Sequence, residues 1–582
     1  MAGLEAESAV GGAGARAGEP GRGAAPPRSE AAEPRRLPGW AAVAGPAAAE
    51  LAIGGYRIGG PSLWRDEAAT ISGAQRPAGA ILALARHQDA VHAVYYLLLH
   101  PVIAAGGTSA ALLRLPSLVA MSLAAGLLGA LGTRLARASA LPAPVLTGLA
   151  AGLALAAVPL TTRYAQEARP YALTALAAVA ATYCLVRAAA PGAARWWWVA
   201  YGAALVATGA FNLFAVLIAA GHGVSLAVAA RPARAGRAGW PARQGETGGG
   251  PVAAAVTATA AVPAAATGAP LAPGTARRWL AACAAAGVLL APLAVLTARQ
   301  SGQLGWVTTP DASTAASLLR DFSGSALLIP VTGGLAWLGC VAGRGARRGA
   351  GLTLAVVALP WLVLPPAVLL AASFARPVYV ERYVVFCLPA LSLLVAAGLT
   401  GLPRIAARAS ASAPAGRPPR PGCRHAPALA WAPSAVLAAL IAGLVAGPQV
   451  AIRQETARAD DLRAVASVLA ARERPGDAVV YLPWDVSVIA AAYQAPFARL
   501  ENAELGVSPV ASATLRGLTA AGPVVAARLA AARRVWDVAW AQPLGPSQPS
   551  PAAAAAERAL AGMRLVRRWR IASVILSLYV RG

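Results

Sequence analysis

Eleven apolar runs recur between positions 38 and 449, and they limit this chain to one kind of environment. They lie near 38–57, 113–133, 143–160, 170–187, 196–210, 213–230, 279–297, 325–343, 351–374, 383–402 and 428–449. A helix of about 20 apolar residues crosses a hydrocarbon core of about 30 Å, so each run approaches or reaches a span. Only 13% of the residues are charged, against about 25% in soluble domains. The reading is an all-α polytopic membrane protein with about 11 transmembrane helices. The fifth and sixth runs are short and also fit one kinked hairpin around Phe211-Asn212. Residues 1–37 are rich in Gly, Ala, Pro, Arg and Glu without an apolar stretch, and are expected to form a disordered tail, not a signal peptide.

Arginine placement gives an orientation. The net charge of +26 comes entirely from arginine, since the chain has no lysine. With the N-terminus inside, the inner loops hold eighteen arginines and one acid, Glu246, and the outer loops ten arginines and seven acids. Excess arginine marks the cytoplasmic side, so the N-terminus is expected in the cytoplasm of a plasma-membrane protein. An odd number of spans then leaves the C-terminal part outside. A nucleic-acid role is not indicated, because the arginines are dispersed between spans without interleaved aromatics. The five cysteines show neither a disulfide framework nor a zinc spacing.

Two polar stretches, 231–276 and 403–427, are too poor in large apolar residues to offset their ordering entropy, and read as disordered linkers. After the last run at 428–449 the pattern changes. Asp460–Arg472 carries helical apolar spacing, and 478–482, 534–540 and 571–580 are strand-like. Residues 452–582 are therefore expected to form a small extracytoplasmic α/β domain.

The topology collects the polar clusters on one face. The first outer loop has Trp64-Arg65-Asp66-Glu67-Ala68, followed by Asp89, His92 and Tyr95-Tyr96 on a short apolar segment, read as a helix at the membrane surface held by its two tyrosines. The next has Arg163-Tyr164-Ala165-Gln166-Glu167-Ala168-Arg169-Pro170-Tyr171, and a later one Glu381-Arg382-Tyr383. Carboxylates there can act as a general base or hold a cation. Arginine forks suit a phosphate, and tyrosines stack on sugar or prenyl surfaces. One activated hydroxyl, one phosphate leaving group and one lipid-facing helix together describe sugar transfer from a polyprenyl phosphate. Each cluster also has a plainer reading: Asp66-Glu67 as acids at a helix start, Glu167 as an interfacial ion pair, Arg382 as a residue reaching for headgroups.

The Trp-Arg-Asp-Glu-Ala loop, the Tyr95-Tyr96-Leu97-Leu98-Leu99-His100 segment, Arg114-Leu115-Pro116-Ser117 and the Arg169-Pro170-Tyr171 stretch resemble the GT-C glycosyltransferases. The resemblance spans roughly 38–402 and is nearest to the family 39-like branch, which includes protein O-mannosyltransferases and the aminoarabinose transferases of lipid A. The Arg-Tyr-Ala-Gln-Glu-Ala-Arg-Pro-Tyr and Glu-Arg-Tyr stretches resemble actinobacterial mannosyltransferase-like members. It implies Asp66 as catalytic base with Glu67 as helper. Glu167, Arg169, Tyr171, Arg382 and Tyr383 would hold the donor phosphate and sugar, with Arg65, Asp89, His92, Tyr95 and Arg163 as lesser candidates. It implies a polyprenyl-phosphate sugar donor, a hexose such as mannose, and an extracytoplasmic protein, glycan or glycolipid acceptor. A divalent cation (Mg or Mn) on Asp66 and Glu167 is permitted and not required. The chain departs from many relatives in having Val91-His92-Ala93 where they carry His-Pro-Pro. A lipid transporter and a non-catalytic scaffold are the competing classes. The acids fall in loops instead of mid-span and no half is repeated, which weighs against transport.

Overall fold

The computed structural model describes residues 37–231, 271–342, 351–411, 431–542 and 550–582, with the backbone alone for 404–411. The chain is a multi-pass membrane protein. Six helices are long and apolar enough to cross a bilayer, or eight if Pro144–Ala157 with Pro159–Ala165 and Ala312–Ser323 with Ala326–Ala342 each make one bent span. All eleven expected runs are helical, but the count by length is smaller. Ala41–Gly55 has 15 residues and Trp196–Phe211 has 16, about 22–24 Å at 1.5 Å per residue, which falls short of a straight crossing. The expected tail and most of both linkers lie outside the described residues. One boundary is corrected: the helix Leu388–Ala411 runs into the 403–427 stretch, because its residues continue the helical pattern after Pro403 with alanine and arginine, both good helix formers.

Small residues let the spans pack backbone to backbone, the usual device where lipid removes the hydrophobic incentive. A Cβ on Gly148 would lie 2.3 Å from the Gly129 carbonyl oxygen, and one on Gly398 2.0 Å from that of Leu335. These two contacts seat Pro144–Ala157 on Ala110–Ala138 and Ile329–Ala342 on Leu388–Ala411.

The C-terminal region forms a five-stranded sheet. Its strands are β1 (Ala478–Tyr481), β2 (Glu501–Asn502), β5 (Arg534–Trp540), β6 (Arg564–Ile571) and β7 (Val574–Val580), in the order β2-β1-β5-β7-β6. A separate pair joins β3 (Leu505–Val507) to β4 (Leu518–Thr519). β1 pairs in parallel with β2 and β5, whereas β5–β7 and β7–β6 are antiparallel. Strand β6 carries four arginines and is largely exposed, as befits an edge that must not recruit another chain. The same charges conceal it from an apolar-pattern reading.

One face of the sheet has a core of its own, with Val480, Val525, Leu529, Val535 and Leu560 buried together, and the other face packs on the first loop. Leu462, Val465, Val479, Tyr481, Val488 and Trp536 share one buried cluster with Leu63, Ala68, Ile71, Tyr95 and Tyr96 of the first loop. Asp460 accepts from the Arg65 guanidinium and backbone N–H at 2.5–3.1 Å, and Arg65 stacks 4.1 Å over Trp540. The sheet is thus fastened to the helix that carries Asp66.

Within the sheet, burial pushes the Glu504 carboxyl up to about 7 against the Tyr481 N–H that holds it down, and pushes Asp537 up to about 6. A carboxyl whose folded pKa is raised contributes stability that is full below its unfolded value of about 4.3 and lost as pH rises through about 7. The midpoint of thermal unfolding should fall between pH 4.5 and 7. Glu504→Gln, which keeps the acceptor for Tyr481, should flatten that slope and stabilise the protein at pH 8, by on the order of 3 kcal/mol at most. A parallel pH profile for the variant would refute this.

Candidate active site

Asp66 stands in the first turn of the helix Arg65–Ala74, after extended Trp64. Its carboxylate faces two guanidiniums, Arg169 Nη2 at 3.4 Å and Arg382 Nη1 at 3.5 Å. Residues far apart in the chain thus meet at one point. Both distances exceed good hydrogen-bond length, so neither arginine is saturated by Asp66. Arg382 also lies 5.2 Å over the Trp306 ring, a residue that sequence reasoning did not single out.

Glu67 points elsewhere. It is fully buried, and Arg114 Nε and Nη2 each donate to it at 2.8 Å, while the Ala168 N–H donates at 2.9 Å. Burial pushes the Glu67 carboxyl up, but Arg114 and these bonds outweigh it and hold it below the ordinary range. The expected helper role is therefore corrected: all the reach of Glu67 is taken up in tying three segments together. Arg114 further donates to the carbonyls of Ile58, Pro61 and Ser62, so it moulds the loop that presents Asp66.

A cavity lies on each side of the Arg382–Tyr383 pair. One, of about 500 Å³, is lined by Trp64, Arg163, Tyr164, Glu167, Glu381 and Arg382. Glu167 is buried there, accepting from Arg163 Nε at 3.2 Å through one oxygen while the other has no partner among the described residues. The other cavity, of about 300 Å³, is lined by Asp89, His92, Tyr171, Asn212, Gln300 and Tyr383. Asp89, in a left-handed conformation, meets His92 Nδ1 at 2.6 Å and accepts from the Tyr96 hydroxyl. Burial raises the Asp89 carboxyl, yet His92 and Arg169 outweigh it and place it far below the usual range.

The remaining candidates separate cleanly. Tyr171 and Tyr383 border the second cavity, and Arg163 the first. Arg65 turns away to Asp460. Tyr95 and Tyr96 are corrected from membrane anchors to core residues, 0% and 1% exposed, because the helix Ala93–Gly106 packs against the helices Arg65–Ala74 and Ala110–Ala138. Sequence reasoning missed Arg458, which is buried and donates to the Gln166 carbonyl at 2.8 Å. Burial lowers its guanidinium to about 10. Its Nε and Nη1, like Trp64 Nε1, Arg169 Nε and Arg382 Nε, are buried without a hydrogen-bond partner among the described residues. Such orphaned donors are costly unless something polar meets them; those of Arg169 and Arg382 lie beside Asp66, and Trp64 lines the larger cavity with Arg382.

An apolar groove of about 520 Å³ lies close to the larger cavity: its lining residues Val158 and Ser323 are followed in the chain by Pro159 and Gly324, which line the cavity. The groove descends between Pro144–Ala157, Leu388–Ala411 and Ala432–Ala451. Among the described residues, no group of three or more His, Cys, Asp or Glu side chains is placed to hold a metal ion. Asp66 and Glu167 each face arginine instead, a donor set that does not fit a divalent cation.

The fold so defined is a set of spans topped by a helical first loop and a sheet that packs on it. Among solved structures, the chain is similar to ArnT from Cupriavidus metallidurans, in its apo state (TM-score 0.51) and bound to undecaprenyl phosphate (TM-score 0.50). In both comparisons the identity is 15%, and the match covers 92% of this chain and 97% of that one. No family model and no curated protein matches the sequence.

Proposed function

We propose that the protein is an inverting membrane glycosyltransferase that moves a hexose, mannose in the first instance, from a polyprenyl phosphate to an acceptor hydroxyl on the extracytoplasmic face. The observation that carries this reading is the placement of Asp66 between Arg169 and Arg382, with Arg382 lining a polar cavity that lies close to an apolar groove. An anion joined to a long apolar chain is the ligand complementary to that pairing. Undecaprenyl phosphate, bound by the ArnT of similar fold, has this chemistry.

The two arginines, held long by Asp66, turn their free donors to the donor phosphate. Asp66 is then released to take the proton of the acceptor hydroxyl. The acceptor oxygen attacks the anomeric carbon as the bond from that carbon to the phosphate oxygen breaks. The polyprenyl phosphate leaves with the electron pair, its charge met by Arg169 and Arg382. No step needs a metal. Glu67 and Arg114 act by positioning, and Asp89 with His92 borders the side from which the acceptor would approach.

Charged hydrogen bonds of this kind are worth about 1.5–3 kcal/mol each. Arg382→Gln should therefore lower kcat/KM for the lipid donor by about 10–100-fold, and Arg382→Lys should restore only part of it, because a point charge cannot reproduce the fork. Donor kinetics of the purified variants in lipid check this. Unchanged kcat/KM in Arg382→Gln would remove the phosphate from this site.

A further inference from the structure

A third polar cavity, of about 280 Å³, lies where the end of the Asp66-bearing helix meets the C-terminal sheet. It shares no lining residue with the cavities beside Arg382. Ser72, Gln75 and Arg76 form one wall, and Ser487, Gln494 and Arg516 the other, with no Asp or Glu in its lining. Arg76 is locked in place: Nε donates to the Ser72 carbonyl at 2.7 Å, Nη1 to that of Pro509 at 3.1 Å and Nη2 to that of Thr514 at 2.5 Å. Arg516 is different. Its Nε is buried without a hydrogen-bond partner among the described residues, and so is the Ser487 hydroxyl on the same wall.

The lining carries two guanidiniums and no carboxylate, although Asp485 and Asp89 act on Arg516 from outside it; a charge withdrawn from water is normally paired by direct contact. The complement of the two guanidiniums is an anion. The volume equals that of about nine waters, room for one sugar ring and not for a chain. Gln494 Nε2 donates to Gln75 Oε1 at 2.8 Å across the two walls, leaving further amide donors and acceptors for ring hydroxyls.

We infer that this cavity is a binding site for a single anionic sugar unit, carboxylated or phosphorylated, held by Arg516 and Ser487 on one wall and Arg76 on the other. The site is independent of the transfer reaction proposed above. Its occupant bridges the helix of Asp66 to the C-terminal sheet and holds the two together.

The test is calorimetric titration of the full-length protein in lipid nanodiscs with glucuronate, glucose 6-phosphate, glucose and inorganic phosphate. Saturable binding of at least one acidic sugar is expected, with none of glucose and at least tenfold weaker binding of inorganic phosphate. Arg516→Gln should weaken the acidic sugar by tenfold or more and Ser487→Ala by several-fold, whereas Arg382→Gln should leave it unchanged. Ser487→Ala alters no charge and keeps the test decisive if Arg516→Gln misfolds. The inference is overturned if neither acidic sugar binds, if inorganic phosphate binds as tightly, or if binding follows Arg382 and ignores Arg516 and Ser487.

Discussion

Asp66→Asn should leave a folded, membrane-inserted protein that has lost about 10²–10⁴-fold in transfer rate, the usual contribution of a positioned general base. Asparagine keeps the shape of the side chain and removes its capacity to take a proton. Stability should change little, because the asparagine amide oxygen can still accept from both arginines; the pairs are 3.4 and 3.5 Å long, with Arg169 buried and Asp66 and Arg382 partly exposed. The check is single-turnover transfer beside thermal unfolding of the same preparation. A fall in both would make Asp66 a structural residue, and retained activity would remove it from the chemistry.

Arg114→Ala should do the reverse: its main effect is on folding. It leaves the Glu67 carboxylate buried with no cation and strips donors from three carbonyls of the loop 58–62. Breaking a buried pair from one side costs about 3–5 kcal/mol, a large part of the 5–15 kcal/mol that a protein has in total. The variant should accumulate poorly and unfold at a markedly lower temperature. Replacing both partners, as Glu67→Gln with Arg114→Met, should cost much less, because no charge is then stranded. A double-mutant cycle on thermal unfolding measures the difference, and a loss under about 1 kcal/mol for Arg114→Ala would show the clamp to be unimportant.

These two neighbours, Asp66 and Glu67, show how far sequence could reach. Apolar length made the multi-pass architecture legible, since it follows from the cost of burying polar groups in lipid, whereas the orientation drawn from arginine bias stays an expectation. The Trp-Arg-Asp-Glu loop, Arg169 and Arg382 were singled out because that topology put them on one face, and the structure brings Asp66, Arg169 and Arg382 together. Sequence could not assign opposite duties to adjacent acids. Successive helical residues point about 100° apart, and only the position of Arg114 decides which acid turns inward. Arg458 and Asp460 were hidden because they lie hundreds of positions from the loop that they brace and belong to a segment without an active-site motif. The tyrosine pair was misplaced for a related reason. Tyr95 and Tyr96 fit a membrane interface by type, and it is the packing of their helix against Arg65–Ala74 and Ala110–Ala138 that makes them core.

Under the proposed function, Asp66, Arg169 and Arg382 hold a lipid-linked sugar donor whose sugar is transferred. The most direct measurement uses purified full-length protein in lipid with radiolabelled polyprenyl-phosphate sugars, following where the label goes and what becomes of the lipid. Free polyprenyl phosphate should be released as the label moves to an acceptor or to water, in wild type and not in Asp66→Asn. Label that stays on the lipid with every hexose and aminosugar donor, in protein shown to be folded and supplied with an envelope extract as acceptor source, would contradict the proposed function.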